Sequence, residues 1–167
     1  MPIWFRAALF LATFPAALAG WLPWLIALPD RTLPAGHQIA LVVVALGWGI
    51  LLWCARDFAR CGRGTPAPYD PPRALVTGGL YDVVRNPMYV GILIAIAGWA
   101  VWFGSWRVAL FAAFMALAFH TRVLLYEEPV LGRSFGADFA RYRARVPRWF
   151  PRLWRASALK DGRRVRQ

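Results

Sequence analysis

The chain has 167 residues, of which 59% are hydrophobic and ten are tryptophan, with a formal charge of +12 and a mean hydropathy of +0.44. A soluble domain holds about 45–50% apolar residues, so an ordinary soluble fold is excluded. The positive charge alone fits either nucleic acid or lipid headgroups, and its distribution along the chain decides between them.

The apolar residues fall into long uncharged runs, the pattern of segments that cross a bilayer, which need about 20 residues each. Ala7 to Leu28 carries no charge, nor do Ile39 to Ala55, Met88 to Trp106 or Val108 to Phe119. Apolar character resumes after His120 and Arg122 up to Tyr126. The runs predict an all-α membrane protein with about four transmembrane helices, 7–28, 38–55, 88–106 and 108–126. Ala17-Leu18-Ala19 has the form of a signal-peptide cleavage site, yet apolarity continues through Trp21, Leu22, Trp24, Leu25 and Ile26. The expectation is an uncleaved first helix, kinked at Pro15 and Pro23.

The short connection Pro29 to Gly36 pairs helices one and two as an antiparallel hairpin, and Phe103 to Trp106 pairs helices three and four as another. Trp99, Trp102 and Trp106 near that second turn fit an interfacial aromatic belt. Between the hairpins runs a cytoplasmic loop, 56–86, rich in glycine and proline. Its Leu75, Val76, Leu80, Tyr81, Val83 and Val84 should order it. Cys54 and Cys61 read as packing residues, since no histidine or further cysteine stands near them to form a zinc site. A cytoplasmic tail, 129–167, holds an amphipathic helix with Phe135, Phe139, Tyr142 and Val146 on one stripe and Arg141, Arg143 and Arg145 opposite. Gly132 or Ser134 is the expected start and Pro147 the end. All of this forms a single domain, 1–167.

With the N-terminus in the cytoplasm, every basic residue except Arg31 and Arg107 lies on the cytoplasmic side, as basic residues do in membrane proteins. The expected partners are anionic headgroups of a lipid bilayer, not nucleic acid. The oligomeric state is left open.

Two polar islands stand beside hydrocarbon, where charges are costly and mark function. Helix four ends His120-Thr121-Arg122-Val123-Leu124-Leu125-Tyr126-Glu127-Glu128. Helical spacing puts His120, Val123 and Glu127 on one face and turns Arg122 about 100° away. The two carboxylates suit an ammonium or a ribose diol, or pair with Arg122, Arg85 or Arg133 as a salt-bridge cluster. Asn86-Pro87 starts helix three, with Asn86 as cap. A helix start beside Arg85 is a natural carboxylate site. Gly91 would allow close approach of a ligand or a helix. Acceptors at one end and donors at the other fit a zwitterionic amino-acid ligand.

The ordered set Gly79-x-Tyr81-x-x-x-Arg85-Asn86-Pro87-x-Tyr89-x-Gly91, an apolar hairpin, Glu127-Glu128, Phe135-Gly136-x-x-Phe139-x-x-Tyr142 and Val146-Pro147 resembles the isoprenylcysteine carboxyl methyltransferase family. It is also similar to the related phospholipid methyltransferases. The resemblance covers roughly Arg56 to Pro151. It implies an integral membrane methyltransferase that uses S-adenosyl-L-methionine and releases S-adenosylhomocysteine. It implies cofactor contacts at Arg73, Ala74, Leu75, Val76, Tyr81, Asn86, Pro87, Met88, Tyr89 and Glu127, to which the neighbouring Glu128 is added. Two departures stand out. Eukaryotic members have histidine at Asn86, and asparagine cannot titrate near neutral pH. The family's substrate arginine falls on Val123, with Arg122 next to it.

The expected reaction is methyl transfer to a membrane-dissolved, lipid-like acceptor with a carboxylate or amine head. Arg85, Arg122 and His120 would orient that head as the catalytic set, with His120 as candidate base for an amine, and no metal is called for. A methyltransferase for small thiols or amines and a non-catalytic four-helix scaffold are the alternatives. The expected location is a prokaryotic inner membrane with both termini cytoplasmic.

Overall fold

The computed structural model describes residue 5, residues 12–58, residue 60 and residues 74–151. Residues 7–11 of the first expected span, loop residues 61–73 with Cys61 and Arg73, and the tail beyond residue 151 lie outside the described residues. Among those described, all regular structure is helical. Helix α1 is Ala12–Ala27, α2 Ala40–Asp57, α3 Pro87–Phe103, α4 Trp106–Arg122 and α5 Glu128–Arg145. Short 3₁₀ turns cover His37–Ile39 and Gly79–Asp82.

Two helices are long and apolar enough to cross a membrane: His37–Asp57, and a continuous run from Trp106 to Arg145 that joins α4 to α5. Helices α1 and α3 are apolar but shorter. The outer faces of α2 and α4 leave Val42, Leu46, Leu110, Phe114 and Leu117 exposed.

Two expectations are corrected. The tail helix does not begin at Gly132 or Ser134; it continues from helix four and starts at Glu128. Pro129 does not break it, because a π turn at Val123–Glu127 precedes it, with the Glu128 amide donating to the Val123 carbonyl five residues back. A proline clashes with the carbonyl four residues before it and lacks its own N–H, and the wider turn relieves that conflict. The same device recurs in α1, where a π turn at Ala17–Trp21 precedes Pro23 by the same spacing. The kink inside α5 falls instead at Gly136, whose φ of 47° and ψ of −119° suit glycine alone. Arg145 ends the helix because Val146, ahead of Pro147, is extended.

Helices α2 and α3 pack closest. A Cβ on Gly47 would come within 2.6 Å of both the Ala95 nitrogen and the Gly91 oxygen, and one on Gly98 within 2.9 Å of the Val44 nitrogen. Small residues let helix backbones touch in this way, the usual means of joining helices in lipid. Gly91 therefore serves helix contact. We expect Gly47→Val to lower stability by about 3 kcal/mol, since backbone must move to make room; an unchanged thermal midpoint in detergent would contradict the packing.

At the end of the bundle away from the charged islands, buried Ser105 caps α4 by accepting from the Val108 amide at 3.3 Å, and donates to Asp30 at 2.7 Å. Of the three tryptophans read as an aromatic belt, Trp106 is exposed and Trp99 and Trp102 are half-buried. Trp99 donates to the Ala19 carbonyl at 2.7 Å, tying α3 to α1, and Trp102 meets the His37 ring edge-on at 4.5 Å.

Candidate functional site

Helix α3 begins where the 3₁₀ turn, α5 and the segment after α5 converge. Asn86 precedes Pro87 as expected but does not cap the helix with its side chain; its Nδ2 donates to the Arg148 carbonyl at 3.2 Å. Next to it the Arg85 amide donates to the Pro147 carbonyl at 2.8 Å. The irregular stretch after Pro147 is thus fastened to the turn before α3. Buried Tyr142 adds a third tie by donating to the Tyr81 carbonyl at 2.7 Å, and Arg145 pairs with Asp82 at 3.0 Å.

These ties bring a charge cluster together. Arg148 grips Glu128 with two nitrogens, at 2.6 and 2.9 Å. Arg85 Nη1 lies 2.9 Å from the same carboxylate as an ion pair without hydrogen-bond geometry, and the two side chains are only 9% and 11% exposed. Arg85 Nε and Nη1 are buried without a hydrogen-bond partner. Burial lowers the Arg85 guanidinium below its ordinary value, partly offset by Glu128, yet arginine keeps its charge. Burial pushes the Glu128 carboxyl up, but the Arg148 hydrogen bond and the charges of Arg85 and Arg148 outweigh it and hold the group below its ordinary value.

A second network lies one helix turn away. Tyr89 donates to Glu127, and Arg122 Nε reaches both Glu127 at 2.9 Å and the Tyr89 oxygen at 3.1 Å. In an α-helix, residues five apart diverge by about 140°, so Arg122 and Glu127 could not meet. The π turn between them stacks residues five apart and brings Arg122 onto the glutamate's side. Above this network Phe119 stacks on Tyr89 with ring centroids 4.4 Å apart, and Trp149 donates to His120 Nδ1 at 3.0 Å.

The other expected site residues are placed as follows. Pro87 and Met88 are buried, Met88 in the main core with Val76 and Tyr81. Leu75 packs against Phe139, Tyr142 and Val146. Ala74 is exposed, and Arg73 is outside the described residues. Tyr81 packs edge-on to Phe58 at 5.4 Å, and burial, then the neighbouring Cys54 with which it hydrogen-bonds, hold its phenol well above the ordinary value. A shallow cleft of about 330 Å³ opens beside Glu128, between Leu124 on one side and Phe139 and Arg143 on the other. Sequence reasoning missed Arg148 and Trp149 as site residues, because one arginine among many in a basic tail carries no mark. It also missed Asp57, whose Oδ2 is buried without a partner.

The residues fit an amino-acid ligand in two respects: a buried arginine whose Nε has no partner, and a buried carboxylate oxygen of Asp57, also without one, against the Gly79 turn. The phospholipid methyltransferase family model matches residues 36–138. The chain belongs to that family. Its residues 36–138 hold α2, α3, α4 and the first part of α5, including Arg85, Tyr89, Arg122, Glu127 and Glu128. Arg148 and Trp149 fall outside the matched family segment. Three relatives are similar to part of the chain. The protein-S-isoprenylcysteine O-methyltransferase of Schizosaccharomyces pombe is 34% identical over 77 residues, 46% of this chain and 33% of that protein. Protein-S-isoprenylcysteine O-methyltransferase B of Arabidopsis thaliana is 35% identical over 77 residues, 46% and 39% of the two chains. The cobalt-zinc-cadmium resistance protein CzcN of Cupriavidus metallidurans is 35% identical over 105 residues, 61% and 43%. The chain spans less than half the length of each. The family expected from the ordered motifs is the family found.

Proposed function

We propose that this protein is an integral membrane methyltransferase, acting on the carboxylate head of a lipid-like molecule dissolved in the bilayer. Family membership supports methyl transfer. The single observation that carries the site is the buried Arg85 just before α3, whose Nε has no partner. S-adenosyl-L-methionine, when bound, supplies a methyl group already activated on a sulfonium. Arg85 would hold an anionic group of that donor. Asn86 and Arg148 keep Arg85 in place through the backbone, and Tyr142 fixes the turn that passes under it.

The acceptor side is read from the second network. Arg122 is half exposed beside Glu127, so one face of its guanidinium remains open to an incoming anion. Trp149 donates to His120 Nδ1, which leaves the ring proton on Nε2. The imidazole then presents a donor, suited to orienting a carboxylate rather than deprotonating an amine. A carboxylate nucleophile needs no base, and the protein's work is alignment. The cleft beside Leu124 would admit an acyl or prenyl tail from the side.

The exposed apolar faces and the basic cytoplasmic-side bias support four spans in two hairpins, both termini in the cytoplasm of a prokaryotic cell, and contact with anionic headgroups. Helix α3 is short for a bilayer, so its ends would sit at the interface. Incubating the purified protein with methyl-labelled donor and host membrane extract tests the reading. Base-labile label in a lipid fraction is the expected result. Label in a volatile or soluble product would favour a small thiol or amine acceptor, and no label at all would favour a scaffold.

A further inference from the structure

We infer that Asp57 is the residue that receives the cationic amino group of the methyl donor, an inference that rests on the proposed function above. The sequence pointed to Glu127 and Glu128 for that role, but Glu127 is engaged by Tyr89 and Arg122, and Glu128 by Arg85 and Arg148. Asp57 differs. Its Oδ2 is buried and has no hydrogen-bond partner, a costly state for a carboxylate oxygen unless a donor arrives.

Among the described residues none compensates it. Asp57 is the last residue of α2, where the helix dipole presents its negative end and repels a carboxylate. Arg56 next to it lies over the Trp53 ring, 5.9 Å from its centroid. The neighbour across the gap is Gly79, at φ +65°, where a Cβ would collide with Asp57 Oδ2. The glycine lets the turn lie directly against the carboxylate, with no side chain between them. Three residues after the same 3₁₀ turn comes Arg85, whose buried Nε has no hydrogen-bond partner and whose Nη1 is ion-paired with Glu128. An unpaired carboxylate oxygen and an unpaired guanidinium N–H thus stand before and after one turn in the chain, and an α-amino acid carries the complementary pair. An ammonium satisfies a buried carboxylate better than a hydroxyl, because it also cancels the charge.

The test is titration calorimetry on the full chain in detergent, using S-adenosylhomocysteine and its desamino analogue, in which hydrogen replaces the amino group. Wild type should bind the analogue about 10- to 100-fold more weakly. Asp57→Asn should lose a similar factor for S-adenosylhomocysteine and bind the two ligands within about threefold of each other. Wild type that fails to discriminate, or Asp57→Asn that keeps full affinity or full discrimination, overturns the assignment. Should the variant not fold, the two-ligand comparison on wild type decides. Wild type that binds neither ligand overturns the proposed function itself, and this inference with it.

Discussion

Arg85→Ala is expected to weaken S-adenosylhomocysteine binding by at least about 100-fold, the scale for deleting one buried charged partner of a ligand. The reason is geometric. Arg85 keeps Nε unpaired while buried, and no other described guanidinium in the cluster has that freedom. Arg148 still grips Glu128 with two nitrogens in the variant, so the fold should survive. Circular dichroism of the variant should match wild type while calorimetry shows the loss. Arg85→Lys should recover only part of the affinity, because an ammonium cannot reproduce the planar fork. Affinity within threefold of wild type in Arg85→Ala would refute the site.

Glu128→Gln should have the opposite profile, striking stability first. It leaves Arg85 and Arg148 facing each other with no anion between them, and removing one member of a buried pair costs about 3–5 kcal/mol. The thermal midpoint in detergent should fall clearly. Adding Arg85→Met should restore much of it, since a buried charge then leaves with its partner, but should not restore binding. The same carboxylate sets a pH dependence. Its folded value lies below the ordinary 4.5. A depressed carboxyl contributes stability that is fully present above its unfolded value and lost as pH falls through the folded one. Wild type should therefore hold its midpoint from about pH 8 down to about pH 5 and lose it below, and Glu128→Gln should lose less over that acid range. An equal acid slope in both proteins would remove Glu128 from the account.

The helical class, the α3 start at Pro87 and the grouping of Arg85, Asn86, Glu127 and Glu128 were legible, because runs of apolar residues and a proline at a helix start leave a local signature. What escaped was set by contacts distant in sequence. Asn86 looks like a cap, yet its amide is taken by a carbonyl 62 positions away. Arg148 and Asp57 became visible as site residues only once the tail and the end of α2 were brought to the turn before α3. The pairing of the two carboxylates with Arg122 and Arg85 was among the readings of the sequence, but the π turn that lets Arg122 reach Glu127 from five residues away was not visible there. The tail helix was started too late for the same reason, since Pro129 looks like a break until the widened turn ahead of it is seen.

That turn has a consequence for how this protein can vary. Deleting one residue between Val123 and Glu127 would tighten the coil to ordinary pitch, leaving Arg122 and its glutamate four residues apart on one face, and would set the Pro129 ring against the carbonyl it now avoids. The proline and the extra residue must therefore be gained or lost together. Substitutions within the turn can retune the pocket, but changes in length there are closed to it.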